Sequence, residues 1–300
     1  MNEHRPDRIA WGILVLLALI WGSSFILMKR GLYHDGVAVL SPLQVASTRI
    51  GIAWLVLSPL LLKHGHWLRT YWRPLLYAGL LGNGIPAILF ATAQTRIDSS
   101  LSGMLNGLTP LMTMLFGGLF FGRHLRGIHV IGVLLGLVGA AGLVLNNGGD
   151  GLPTWSWFAL LAVLGTVCYG INGNLVKHFL HAVPPMAISV LALTFVGPAC
   201  LVIAWNSGLP EALADTPHAW SSLGYVALLA VLSSAIALVF WNMLLQRASA
   251  LWASSVTYMM PLVAIGWGVV DGELVNGRQW IMIGVVLSGV YLVHLAERQR

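Results

Sequence analysis

Residues 96–111 read RIDSSLSGMLNGLTPL, and the same frame returns at 247–262 as RASALWASSVTYMMPL. An offset of 151 places Arg96 on Arg247, Pro110 on Pro261 and Leu111 on Leu262 without a gap. In each copy an apolar run ends, an Arg follows, small residues turn the chain, and a new apolar run carries an interior Pro. An offset of half the chain marks a protein built twice, and such self-similarity is read before any local pattern.

The composition sets the environment. Of 300 residues, 57% are hydrophobic and only 9% are charged, against about 25% charged in soluble domains. That leaves too little polar surface to cover a water-soluble globule of this size. The apolar residues also come in runs of about 20, the length that crosses a bilayer. The runs predict ten transmembrane helices, at 9–28, 42–62, 75–95, 99–121, 128–145, 155–176, 185–205, 220–245, 250–270 and 279–295. The Gly- and Asn-rich segment 146–154, NNGGDGLPT, links a first repeat (1–145) to a second (155–300). The basic start followed by an apolar run could be a signal peptide, but the run is long and no small-x-small cleavage site follows it. It is taken as the first span.

Ten spans put both termini on one side. With the ends inside, the inner segments hold Arg5, Arg8, Lys63, Arg69, Arg73, Arg123, Arg126, Lys177, Arg247, Arg298 and Arg300. The outer loops hold only Lys29, Arg30, Arg96 and Arg278. The excess of Lys and Arg marks the cytoplasmic side, so both termini are expected there. Scattered this way, the net charge of +6 reflects topology and implies no nucleic-acid partner.

Five spans is an odd number, so the two halves are expected to insert upside down relative to one another. The fold class that follows is an all-α integral membrane protein of two inverted five-helix repeats. An offset of 148 gives a second match, Trp21, Gly22 and Lys29 onto Tyr169, Gly170 and Lys177. Inverted repeats of this kind let a secondary transporter exchange an outward-open shape for an inward-open one.

At these residues the chain resembles the drug/metabolite transporter superfamily, EamA type. The matching stretches are WGSSFILMKRGL at 21–32, SPLQVASTRIGIA at 41–53, the Arg-to-Pro frame above, and PLVAIGWGVVDGELVNGRQWIMIGVVLSGV at 261–290. The motifs are loose one by one, while their order and repetition are specific. The resemblance implies ten helices, a central cavity and transport of small metabolites, often outward, across the plasma (inner) membrane of a bacterium. It names no substrate; amino acids or similar amphipathic solutes are the first expectation, and a lipid or lipid-linked solute is the alternative. One departure is visible: after the ninth span the chain carries DGEL (271–274), whereas after the fourth it carries FGRHL (121–125), with Arg123 where family members often carry Glu.

Polar residues sharing a helix face near mid-membrane are the substrate-binding candidates. The first span offers Trp21 and Ser24, and the third Asn83, Phe90 and Gln94. The fourth offers Ser102, Asn106, Thr109 and Thr113, at steps of +4, +7 and +11. The sixth offers Tyr169 with Gly170 and Gly173, the eighth Trp241 and Asn242, and the ninth Ser254, Thr257 and Tyr258. Each could hydrogen-bond a solute, or could simply bond one helix to the next. Arg49 is the one charge well inside a span, roughly 10 Å deep. It either captures a carboxylate or phosphate, or snorkels to the interface. Pro86, Pro110, Pro198 and Pro261 interrupt helices as hinges or static kinks. Small-residue stripes, Gly132-x3-Gly136 with Gly139 and Gly284-x3-Ser288, point to close helix packing within the monomer rather than a homodimer interface, with both states left open.

No Asp or Glu lies mid-span, so a carboxylate proton relay has no obvious carrier. His64, His66, His124 and His129 gather at one interface without a carboxylate or Cys to complete a metal shell. Cys168 and Cys200 read as packing residues. No cofactor, metal or catalytic residue is expected: the chain has no GxSxG, no HExxH and no paired carboxylates within spans.

Overall fold

The computed structural model describes residues 8–122, 126–145, 156–248, 252–253 and 256–298. The expected linker 146–154, Arg5, Arg123, His124, Ser254 and Arg300 lie outside the described residues. The fold is almost wholly helical, with one two-residue hairpin, β1 (Tyr33–His34) against β2 (Val37–Ala38).

The first half begins with α1 (Arg8–Leu32) and α2 (Pro42–Leu57). Ser41 caps α2 in a capping box with Gln44, and Pro42 occupies the first turn, where a missing N–H is harmless. Two 3-10 turns flanking the short α3 (Leu61–His64) lead into α4 (Leu68–Gly79). A π-helical segment, Leu80–Gly84, then joins α4 to α5 (Ile85–Ala93). Next come α6 (Ser99–Asn106), α7 (Thr109–Phe120) and α8 (Gly127–Leu145). The second half follows with α9 (Trp157–Phe179), α10 (Pro185–Asn206), the short α11 (Leu209–Asp215) and α12 (Ala219–Leu229). A second π segment, Ala230–Ile236, leads into α13 (Ala237–Arg247), then α14 (Val256–Val270) and α15 (Gly277–Arg298).

Among the described residues, eight helical stretches are long and apolar enough to cross a membrane. One of them, Pro42–Ala93, has 52 residues, far more than the ~20 of one crossing. The 3-10 turns at Ser58–Leu60 and Gly65–Trp67 interrupt it. The 15-residue α14 is apolar but shorter than these. Apolar side chains such as Ile131, Leu134, Val138, Val202 and Ile281 stay exposed on the outside, a surface suited to lipid and not to water.

The prolines fall in two ways. Pro86 and Pro110 sit in first turns, of α5 directly after the π segment and of α7 directly after the break at Gly107–Leu108. Pro198 and Pro261 lie inside α10 and α14. The two π segments begin at residues 80 and 230, equivalent positions of the halves at an offset of 150. A π turn moves the backbone bond from i−4 to i−5 and swells the helix, a distortion common at functional sites.

The small-residue stripes bring α8 and α15 together backbone to backbone. A Cβ on Gly132 would lie 2.6 Å from the Gly289 carbonyl oxygen, and one on Gly289 only 2.5 Å from that of Gly132. Gly139 meets the Val286 backbone nitrogen at 2.8 Å in the same sense. The stripe on α15 is carried by Gly289 rather than by Gly284, which faces open space.

A central cavity and a charged cluster at one end

The cavity lies where α1, α2, α5, α6, α7, α9, α13, α14 and the two π segments converge. It leaves about 90 Å³ for the centres of water-sized spheres, several times the ~10–15 Å³ that one water needs. Twelve of the seventeen described candidates line it: Trp21, Ser24, Arg49, Asn83, Phe90, Asn106, Thr109, Thr113, Tyr169, Gly173, Trp241 and Thr257. Aromatic rings form its walls. Trp21 and Trp241 meet edge to face at 5.4 Å, Phe25 meets Phe90 at 5.9 Å, and Phe90 stacks on Tyr169 at 5.9 Å.

The π segment of the second half organises the polar side. Its Ser233 carbonyl accepts from Trp21 Nε1 at 3.0 Å, and its Ser234 hydroxyl accepts from Arg49 Nε at 2.6 Å. Arg49 is therefore held toward the cavity by a neutral partner. Among the described residues no carboxylate pairs with it, and no other lining residue carries a formal charge.

The other five stand elsewhere. Ser102 is wholly buried in α6, and a Cβ on Gly170 would run into the α7 backbone at Met112. Asn242 donates to Ser189 Oγ and to the Leu238 carbonyl, both at 2.9 Å, so it ties α13 to α10. Tyr258 points its hydroxyl at the Val290 carbonyl at 3.4 Å and stands edge-on to His294. Gln94 lines a separate open cleft with Lys29, Arg30, Arg96 and Asp98. Both of its amide atoms are buried there without a hydrogen-bond partner.

Sequence reasoning did not single out Asn172 or Ser233, yet both line the cavity. The signal for them was the repeat itself. Asn172 is Ser24 moved by 148, the offset that relates Trp21 to Tyr169, and Ser233 is Asn83 moved by 150. Asn106 and Thr257 are likewise equivalent at 151. The cavity is thus lined by both members of four equivalent pairs. Asn172 is only 7% exposed, and its side-chain oxygen has no donor.

A second constellation ties α1, α6 and the end of α14 together at one end of the molecule. Lys29, in the last turn of α1, reaches Asp271 at 2.7 Å and Glu273 at 2.8 Å, while Arg30 pairs with Asp271. The DGEL sequence explains the aim. Gly272 adopts a left-handed conformation (φ 83°) at the end of α14. The Glu273 N–H returns to the Gly268 carbonyl and that of Gly272 to Val269, a Schellman termination. Glu273 is thereby turned onto the N-terminus of α6. One oxygen accepts from the Ser99 N–H (3.0 Å) and hydroxyl (2.7 Å), and the other from the Ser100 N–H (2.9 Å). Burial raises its pKa, but the bonds from Lys29, Ser99 and Ser100 outweigh burial and hold the carboxyl down at about 2. Neighbouring Asp98 is pushed up, by burial first and then by the charge of Glu273.

At the far end of α6–α7 the arrangement differs. Phe121 meets the rings of His178 and Phe179. Lys177, the counterpart of Lys29, donates to the carbonyls of Leu245 (2.8 Å) and Ala248 (2.9 Å), orphan acceptors at the C-terminus of α13.

Comparison with known proteins agrees with this architecture. The EamA-like transporter family matches twice, at residues 9–145 and 156–295. The chain is 27% identical over 292 residues to the "Uncharacterized inner membrane transporter YedA" of Escherichia coli K12, covering 96% of this chain and 91% of the relative. It is 25% identical to a "Probable terminal-alkyne amino-acid exporter" of Streptantibioticus cattleyicolor, covering 86% and 84%. It is 22% identical to a "Probable amino-acid metabolite efflux pump" of Escherichia coli K12, covering 94% and 93%. A crystal structure at 20% identity superposes with a TM-score of 0.62, covering 97% of this chain and 98% of the other, a likeness of fold alone. With both halves matched and the apolar helices to cross a bilayer, the chain belongs to the EamA-like transporter family of the drug/metabolite transporter superfamily, as a multi-pass membrane protein.

Proposed function

We propose that this protein is a secondary transporter working by alternating access, and that its cargo passes through the cavity between the halves. The observation that carries the reading is that equivalent residues of both halves, Trp21 with Tyr169 and Ser24 with Asn172 among them, line one cavity. A site shared evenly between repeats is what a carrier needs if the halves exchange shapes around it.

The placement of helix ends supports opposite insertion. The end of α1 meets the start of α6 through Lys29, Glu273 and Ser99. The end of α9 meets the end of α7, through Phe179 and Phe121. Equivalent helices thus finish at opposite ends of α6–α7. The merged stretch Pro42–Ala93 counts as two crossings, which with α14 makes ten. On the Lys and Arg distribution, the Lys29–Glu273 cluster faces away from the cytoplasm and both termini lie inside. In this reading the structure has its outer end closed.

The cargo is a small amphipathic metabolite, and export is its direction, consistent with the named functions of the two amino-acid-related relatives. The residues assigned to it are Trp21, Ser24, Arg49, Asn83, Asn106, Thr109, Tyr169, Trp241 and Thr257. The test is flux into proteoliposomes across a broad metabolite panel, with and without a pH gradient. Saturable flux of one solute class is expected. No flux of any solute by folded protein would remove the transporter reading, and a lipid translocation assay would then be the next measurement.

A further inference from the structure

We infer that the preferred cargo carries a net charge of −1: an amphipathic monocarboxylate with a hydrogen-bond donor, such as an N-acylated aromatic amino acid or an aryl hydroxy acid, rather than a zwitterion. The inference rests on the transport reading above and sharpens it.

Three observations carry it. Arg49 is the one formal charge among the described lining residues, and a serine hydroxyl, not a carboxylate, holds it. A cation facing a cavity walled by Trp, Phe and Tyr rings, with no carboxylate beside it among the described residues, lacks charge compensation until an anion enters. Among the described residues the cavity offers no anionic side chain to receive an ammonium group. A zwitterion would satisfy Arg49 with its carboxylate and leave its own cation uncompensated among Trp, Phe and Tyr rings. A monoanion neutralises the site outright.

The second group on the cargo follows from Asn172. Its side-chain oxygen is buried without a donor, an arrangement that a cargo N–H or O–H would complete. Cation–π contact with the Trp21–Trp241 wall could soften the penalty on an ammonium group, but such contacts are weaker than a paired carboxylate. The aromatic walls set the apolar remainder of the molecule.

The test uses three solutes sharing one ring in proteoliposomes: N-acetylphenylalanine (−1), phenylalanine (zwitterion) and phenethylamine (+1). Saturable uptake of the first is expected to exceed that of the others by about tenfold or more, the worth of one charge-assisted bond. The wild-type comparison needs no variant, so it stands even if Arg49 substitutions fold poorly. In folded Arg49→Gln the preference for the monoanion should be lost, and in Arg49→Lys it should be partly kept. Phenylalanine carried as well as or better than its N-acetyl form would overturn the inference and leave the transport reading intact. Flux found only for other, uncharged or cationic members of the broad panel would do the same. No flux of any solute would instead strike the transport reading.

Discussion

Replacing Glu273 by Gln keeps the side chain's shape and removes its charge at the point where α1, α6 and α14 meet. The carboxyl is held from its ordinary 4.5 down to about 2. At 1.36 kcal/mol for each tenfold of proton affinity, that arrangement favours the ionised form by about 3 kcal/mol. If outward opening separates α14 from α6, this contribution is lost on opening, and its removal moves the balance of the two states by up to roughly 100-fold. Gln keeps one acceptor oxygen for the Ser99 donors and turns its NH2 toward the Ser100 N–H, so only part of the arrangement survives, and a shift of about tenfold is the working expectation. The assay places a single cysteine at Ser24, in the cavity, with Cys168 and Cys200 replaced. A membrane-impermeant thiol reagent is then applied from the Lys29 side. Glu273→Gln should speed labelling by about that factor, and Lys29→Met should act in the same direction. Unchanged labelling in folded protein would mean that the cluster does not hold this end closed.

The same carboxyl gives a pH signature: its pKa is depressed, so its contribution is complete above about 4.5 and is lost as pH falls toward 2, and labelling should be flat between about pH 5 and 8. Asn106→Ala should lower flux roughly 2–10-fold with melting temperature preserved, the worth of one neutral hydrogen bond to cargo. Asn242→Leu should do the reverse, lowering stability by about 1 kcal/mol through the lost Ser189 bond while flux per folded molecule stays unchanged. Gly289→Val drives a side chain into the Gly132 backbone and should cost about 1–3 kcal/mol or more, read as a lower melting temperature in detergent.

Much of this protein was legible in its sequence because membranes impose simple rules. Runs of apolar length became helices, and Arg49 stood out as a charge with no reason to be in lipid. What periodicity could not do was choose between faces of one helix. Trp241 and Asn242 are neighbours, yet one lines the cavity and the other bonds Ser189, because adjacent residues on a helix point about 100° apart. Thr257 and Tyr258 divide in the same way. The π segments were invisible, since LLGNG and AVLSSAI carry no pattern that distinguishes π from α. The contacts of Glu273 were also beyond reach. Its acidic motif is plain in the sequence, but its partners Lys29 and Ser99 lie 244 and 174 residues away in the chain. Only the tertiary fold brings them together.

The glycine seam between α8 and α15 has a reciprocal form. Gly139 meets Met282 and Val286, while Gly289, its equivalent at an offset of 150, meets Gly132 and Gly136, the equivalents of those two. Residue i touches j′, and i′ touches j. That is the rule of an isologous dimer contact, written here inside one chain. Among the described residues neither α8 nor α15 contributes to the cavity, so the seam is a joint between halves and not a wall of that cavity. Each half alone would carry the face of a self-associating subunit, and a strong small-to-large change on either side would injure the fit of both.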